Sequence, residues 1–491
     1  MTEALFAEFA PTTRDEWIKA VSQSIQGGAV ESLRKRSYEG FDIQPLPHAD
    51  DLAGCHHHRS LPGQFPFVRG SKASGYRAQP WLIAQAFEIA DPRAFNQTLQ
   101  EALAGGQSTI TVDDELRLET TDGIRQAFVD IDLKRFPLLI QSAARAPALY
   151  GMLANALDSE TLAQLRGCAG YDPLGGLALT GALPEDAFER LAAHVESVAR
   201  QSPKLGSIAV NSAPYHDAGA NAVQELAVLL ATAVTTFREL NARGVAAKEA
   251  APRLHFFMRI GEDFFIEIAK FRAIKLLWAQ ALRALGLERF ARNMSVHAQS
   301  GRRNKARLDA HVNMLRLTTE ALSAAIGGVD SICLSPFDQP LGAADDFARR
   351  LARNLQLILQ EELRLTELID PAGGAWHVEK PTDQLARAAW RRFQAFEADG
   401  GLLASLKAGA LQAEIAAVAQ RRQRDLETGD AILVGCNRYV NRDETAPAAQ
   451  PATDHRLASP PLGASHTVDP LKPLRLAEPF ETLRNDSGGG A

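Results

Sequence analysis

A (β/α)8 TIM barrel with an N-terminal helical arm and a C-terminal linker extension is the fold this 491-residue chain predicts. Three observations carry it. From about residue 80 to 400, short apolar or β-branched runs alternate with longer helical patterns, as a parallel sheet with helical crossovers requires. One unit is written out in full between Phe256 and Gly286. Phe256-Phe257-Met258 is a short buried strand, Arg259 to Asp263 a Gly/acidic turn, and Phe264, Ile268, Phe271, Lys275, Trp278 and Leu282 then recur at spacings of three and four, the mark of a helix covering that strand. The number of such units favours eight strands closed on themselves over an open sheet.

Taken in order, residues 1–36 read as an arm of two helices, TRDEWIKAVSQSI and AVESLRKR, with too little apolar surface for a core of their own. Residues 37–440 form the barrel and a following helical region. Its strand runs include Trp81–Ile83, Ser108–Val112, Leu177–Leu179, Ile208–Val210, Phe256–Met258, Met294–Val296 and Ser331–Leu334, with helices at Glu185–Ala199, Ala220–Leu240 and Asp309–Ala325. Barrels of this kind place reactive groups on the loops after the strands. That directs attention to Ala84–Ala86, Tyr215–Gly219, Gly261–Asp263, His297–Gly301 and Ser335–Gln339. Helices fill 382–425, and a strand and turn are expected at Ile432–Arg438. Residues 441–491 have the Pro/Ala-rich composition of a linker and tail.

Composition excludes several classes. A net charge of −6 gives no reason to expect nucleic acid or an anionic membrane surface as partner. Apolar runs are broken well before the ~20 residues of a membrane span, and the acidic N-terminus lacks the pattern of a signal peptide. Cys55, Cys168, Cys333 and Cys436 are widely spaced and form no CxxC pair, as expected of free thiols in a cytoplasmic protein. Three consecutive histidines, His56 to His58, cannot converge on one ion unaided, so no metal site is expected. Glu262-Asp263 read as a solvated turn or a helix N-terminal pair complementing the dipole. Ser335 and His216 are not placed as a nucleophile pair, and no Gly-x-Ser-x-Gly elbow is present.

Several segments carry a resemblance. Tyr38-Glu39-Gly40 leading to Ile43-Gln44-Pro45-Leu46, Pro66 to Gly70, Phe256 to Trp278, His297 to Gly301, Ala352 to Leu357 and Ile369-Asp370-Pro371 follow one another as in the methylmalonyl-CoA mutase family of acyl-CoA mutases, and the likeness runs from about Tyr38 to Arg484. The resemblance implies a barrel that threads a CoA thioester along its axis, and an adenosylcobalamin-dependent rearrangement of acyl-CoA carbon skeletons in a cavity closed to water.

Three departures from the family pattern shape the expectation. The Asp-x-His-x-x-Gly loop of the cobalamin domain finds only Asp309-Ala310-His311, with Met314 where the glycine belongs. The family tyrosine after Pro-Trp-x-x-x-Gln is Ala86, and the arginine before that glutamine is Ala84. The family histidine, read back from Asp217-Ala218-Gly219-Ala220, is Pro214. No catalytic residue is therefore expected, with Tyr76 and His216 the candidate substitutes. His297 and Gln299 match positions facing the cobalamin side, Gln339 stands where the family has a glutamate near the adenosyl group, and Arg69 is a candidate phosphate ligand or an ion-pair partner. These losses imply a small, non-catalytic subunit working with a catalytic large subunit, acyl-CoA and adenosylcobalamin belonging to the complex. The alternatives are a split mutase that receives cobalamin from a separate protein, and a non-enzymatic assembly scaffold.

Overall fold

The computed structural model describes residues 12–142, 144–342, 344–441, 444 and 464–488. Eight parallel strands form its centre: β1 (Leu82–Ala84), β2 (Ile110–Val112), β3 (Leu138–Ile140), β4 (Gly167–Tyr171), β5 (Leu205–Asn211), β6 (Leu254–Ile260), β7 (Ser295–Ser300) and β8 (Ser331–Cys333). From β2 to β8 each pairs with its sequence neighbours, and β8 pairs with β1. The remaining seam, β1 to β2, is bridged at Ser108, whose N–H donates to Ile83 O at 3.0 Å while its Oγ accepts from Ile83 N–H at 2.8 Å. The predicted barrel is the fold observed.

Alternation along β6 shows how the sequence builds two cores. Phe256, Met258 and Ile260 belong to the large apolar layer between sheet and helices. Phe257 belongs to a separate cluster with Leu139, Cys168 and Ala209, which is the lumen. The helix Phe264–Ala284 covers β6, and Trp278 meets Phe256 edge-on at 5.3 Å.

Four elements differ from the reading of the sequence. Leu177–Leu179 lies in the helix Pro173–Thr180, because Asp172 caps its N-terminus and Pro173 occupies the first turn. The strand is instead Gly167-Cys168-Ala169-Gly170-Tyr171, small because a Cβ on Gly170 would lie 2.6 Å from that of Ala209. Leu138–Ile140 adds a strand of only three apolar residues, too brief for a periodicity. AVESLRKR forms a single 3-10 turn, Val30–Leu33, and then the two-residue strand Lys35–Arg36 paired with Asp42–Ile43 across the Tyr38–Gly40 turn. Ile432–Arg438 is a loop with one bridge, Val434 to Arg438.

The helix Arg14–Ser24 is closed by a capping box at Thr13 and Glu16, yet none of its residues is buried. The helices Trp376–Ala398, Leu402–Lys407 and Ala410–Thr428 fill the region read as helical. The linker reading at 445–463 lies outside the described residues. Beyond it, Ala464–Thr467 pairs antiparallel with Ala182–Pro184, and the chain then crosses the loops after three strands: Leu471 N–H donates to Ala178 O, Leu474 N–H to Asp217 O, and Leu476 N–H to Arg303 O, each at 2.8 Å.

Candidate functional site

In a barrel of this class the chemistry would sit in the lumen and at the carboxyl ends of the strands. The lumen is crossed by side chains. Gln141, the first residue past β3, meets His297 of β7, four strands away on the opposite wall, at 2.7 Å between their Nε2 atoms. The other ring nitrogen, Nδ1, lies 2.7 Å from Ser331 Oγ on β8. The Gln141 amide donates, so His297 Nε2 accepts and Nδ1–H donates to the serine: the ring is neutral. Burial explains why, pulling the imidazole down to about 3. Phe257 packs against it with ring centroids 5.4 Å apart.

Above this bridge the mouth is laced with ion pairs. Arg259, at the end of β6, meets Asp217 at 3.0 Å, and Arg302 meets Glu88 at 3.3 Å. Gln339 donates to the same Glu88 at 2.8 Å. Gln299 is half-buried beside Arg259 in the strand register. Ala84 is buried and Ala86 half-buried just past β1, offering no side-chain donor to the mouth.

The remaining candidates are dispersed. Tyr76 sits at the opposite, amino-terminal end of the barrel, where its hydroxyl donates to Val329 O at 2.6 Å and its ring packs edge-on against Trp81. Pro214 is buried in the first turn of the short helix Ala213–Asp217. His216, on the same turn, directs Nδ1 outward to Glu225 at 2.7 Å, while Nε2 rests against Gly301, where a Cβ would approach to 2.7 Å. Burial holds His216 well below the usual histidine range. Arg69 donates through Nε to Asp370 at 2.5 Å and through an Nη to Ser60 O at 3.3 Å, an ion pair at the amino-terminal end.

The two adjacent acids after β6 divide their labour. Asp263 caps the helix Phe264–Ala284, accepting from Ile266 N–H at 3.4 Å. Glu262, itself exposed at the surface, is held between the buried Arg303 at 2.9 Å and Arg422 at 2.7 Å, and those guanidinium groups hold its carboxyl far below the usual range. The three histidines differ in exposure: His56 is exposed, His57 buried near Glu379 and Asp383, and His58 half-buried. Among the described residues no group of His, Cys, Asp or Glu could hold a metal ion, and no helix is long and apolar enough to cross a membrane.

With this geometry in place, the chain's likeness to known proteins is specific. Residues 36–120 and 114–460 match the family described as Methylmalonyl-CoA mutase. The chain belongs to the methylmalonyl-CoA mutase family. It is 33% identical to the methylmalonyl-CoA mutase small subunit of Streptomyces virginiae over 99% of this chain and 78% of that protein. It is 31% identical to the small subunit of Porphyromonas gingivalis over 98% of this chain and 78% of that one. The methylmalonyl-CoA mutase of Escherichia coli is 28% identical, with 88% of this chain and 65% of that protein aligned.

Mutases of this family are isomerases, in general dependent on adenosylcobalamin. The residues at this mouth do not fit that group. His297, which the family pattern would turn toward it, is 3% exposed with both nitrogens engaged, and Gln339 is committed to Glu88. Gln141 and Ser331, which decide the state of the lumen, escaped the sequence reading. Only recognition of the short strand Leu138–Ile140 would have placed Gln141 at a strand end.

Proposed function

We propose that this chain is the small, non-catalytic subunit of a methylmalonyl-CoA mutase and works beside a catalytic large subunit that carries out the interconversion of methylmalonyl-CoA and succinyl-CoA. The observation that carries the reading is the Gln141–His297–Ser331 bridge across the lumen. A thioester threaded along the axis would have to break it and strand two buried polar groups, His297 and Ser331, each worth about 1–3 kcal/mol when unpaired.

Three further features agree. Ala86 and Pro214 lack the hydroxyl and imidazole that the family pattern supplies, and electrostatic stabilisation by such donors is usually a large catalytic term. The substitutes do not converge: Tyr76 and His216 sit at opposite ends of the barrel with their hydrogen bonds directed elsewhere. Arg69 is neutralised by Asp370 rather than free for a phosphate. Adenosylcobalamin and acyl-CoA then belong to the partner's barrel, and this chain contributes a folded surface.

The test is turnover and binding with purified proteins. The isolated chain supplied with adenosylcobalamin and methylmalonyl-CoA is expected to be inert and to show no saturable acyl-CoA binding by calorimetry. Co-expression with a catalytic large subunit of the family is expected to give a stable, active complex. Turnover by the isolated chain, or by the chain with a separate cobalamin protein, would overturn the reading in favour of a split mutase.

A further inference from the structure

A second cavity, remote from the lumen, lies at the amino-terminal end of the barrel beneath the helix Phe264–Ala284, walled by Trp81, Ile326, Leu365 and Leu368. Two cations on that helix reach it one turn apart. Lys275 is 8% exposed and donates to Gly327 O at 2.7 Å and to Gly328 O at 2.6 Å. An ammonium has three N–H groups, so one is left over. Arg272 is 1% exposed; its two Nη atoms are taken by Asp370 and by Glu379, and its Nε–H is buried with no hydrogen-bond partner among the described residues. Unsatisfied buried donors of this kind are uncommon in folded proteins and point to something missing.

The charge count is also incomplete. Arg69, Lys72, Arg272 and Lys275 line the cavity with Asp330 and Asp370, and Glu379 lies just behind Arg272. Asp370 serves both arginines, and Asp330 stands 3.8 Å from Lys72 while its other oxygen accepts from Val296 N–H at 3.0 Å. Four cations thus meet three carboxylates, leaving one positive charge. Burial of Lys275 without a full counter-ion depresses its ammonium to about 8.

The geometry points to a binding site for a short aliphatic monocarboxylate, its carboxylate on Lys275 and Arg272 and its tail against Trp81 and Ile326. Size narrows the class. The enclosed volume of about 60 Å³ has room for roughly four waters at about 15 Å³ each, hence for about four non-hydrogen atoms, which suits a short chain seated by its carboxylate. One surplus charge suits a monoanion, and the apolar walls suit a hydrocarbon tail better than an inorganic oxyanion.

Titration calorimetry of the full chain with sodium propionate, against sodium chloride at equal ionic strength and against sodium phosphate, decides it. One saturable propionate site is expected, weakened about tenfold or more by Lys275→Met, since a charge-assisted bond is lost, and partly kept by Lys275→Arg. Ile326→Trp, which fills the cavity without touching the charges, is expected to abolish binding and answers the question should Lys275→Met fail to fold. Absence of saturable propionate binding, equal affinity in Ile326→Trp, or phosphate binding as tightly as propionate would each overturn the assignment. None of these outcomes depends on whether the large subunit or the mutase reaction is as proposed above.

Discussion

His297 shows how one residue type changes meaning with its surroundings. Its place in the segment His297–Gly301 made it a candidate for the cofactor side of the barrel, but Gln141 and Ser331 occupy both of its nitrogens and burial keeps it neutral. A pH experiment follows. The ordinary histidine value near 6.5 falls to about 3 in the fold, so between those values the unfolded chain binds the extra proton and stability is lost as pH drops. One such group contributes a slope of at most about 1.4 kcal/mol per pH unit. His194, lowered to about 4 by burial, acts in the same direction. Asp172, raised to about 6 by burial, acts oppositely, because the fold keeps its proton. The raw acid profile therefore mixes signs, and the difference between proteins isolates one group. His297→Gln is expected to lower the melting temperature at pH 7 yet to lose stability less steeply between pH 6.5 and 4 than the parent. Parallel profiles would mean that the ring titrates alike in the folded and the unfolded chain.

At the scale of elements, the turn after β6 sets two adjacent carboxylates in different environments, and magnitudes separate them. Asp263→Ala removes a helix cap and should cost about 1 kcal/mol. Glu262→Ala takes a partly exposed counter-ion from the buried guanidinium groups of Arg303 and Arg422, a change expected to cost about 1.5–3 kcal/mol, the worth of hydrogen bonds to a charged group. Urea unfolding of the two variants tests the ordering; equal losses would show that solvent screens the pairs Glu262 makes with the two arginines. The contrast marks where sequence reading stops. The unit Phe256–Gly286 was legible because strand, turn and helix are contiguous and their periods are written in one stretch. The partners of Glu262 come from residues 41 and 160 positions away, and no local pattern announces them. Strand β4 escaped for a related reason: packing in a crowded lumen selected glycine and alanine over the β-branched residues that advertise strands, while the leucines of the neighbouring helix Pro173–Thr180 imitated one. The family positions at Ala86 and Pro214 were readable as absences, whereas the closure of the lumen needed Gln141 and His297, 156 residues apart, to be seen together.

For the whole molecule the decisive contrast is between the barrel, which completes its own core, and the arm, which does not. In the helix Arg14–Ser24, Trp17, Ile18 and Val21 are left half-buried or more exposed, and its recorded tie to the body is Arg14 to Asp51 at 3.7 Å, between side chains too exposed to contribute much. An isolated helix of 11 residues is marginal in water, so a capped helix whose apolar stripe is only half covered by the described residues has stability to gain from a further surface. Under the subunit reading that surface is the large subunit. Deleting residues 1–28 is then expected to leave the melting temperature of the isolated chain unchanged, because none of the described residues 12–28 is buried, while weakening co-elution with the large subunit by tenfold or more, roughly the 1.5–3 kcal/mol that burying one or two large apolar side chains contributes. Should the deletion lower the melting temperature of the chain alone, the arm belongs to the barrel's own stability; should it leave association untouched, the two subunits meet through the barrel walls.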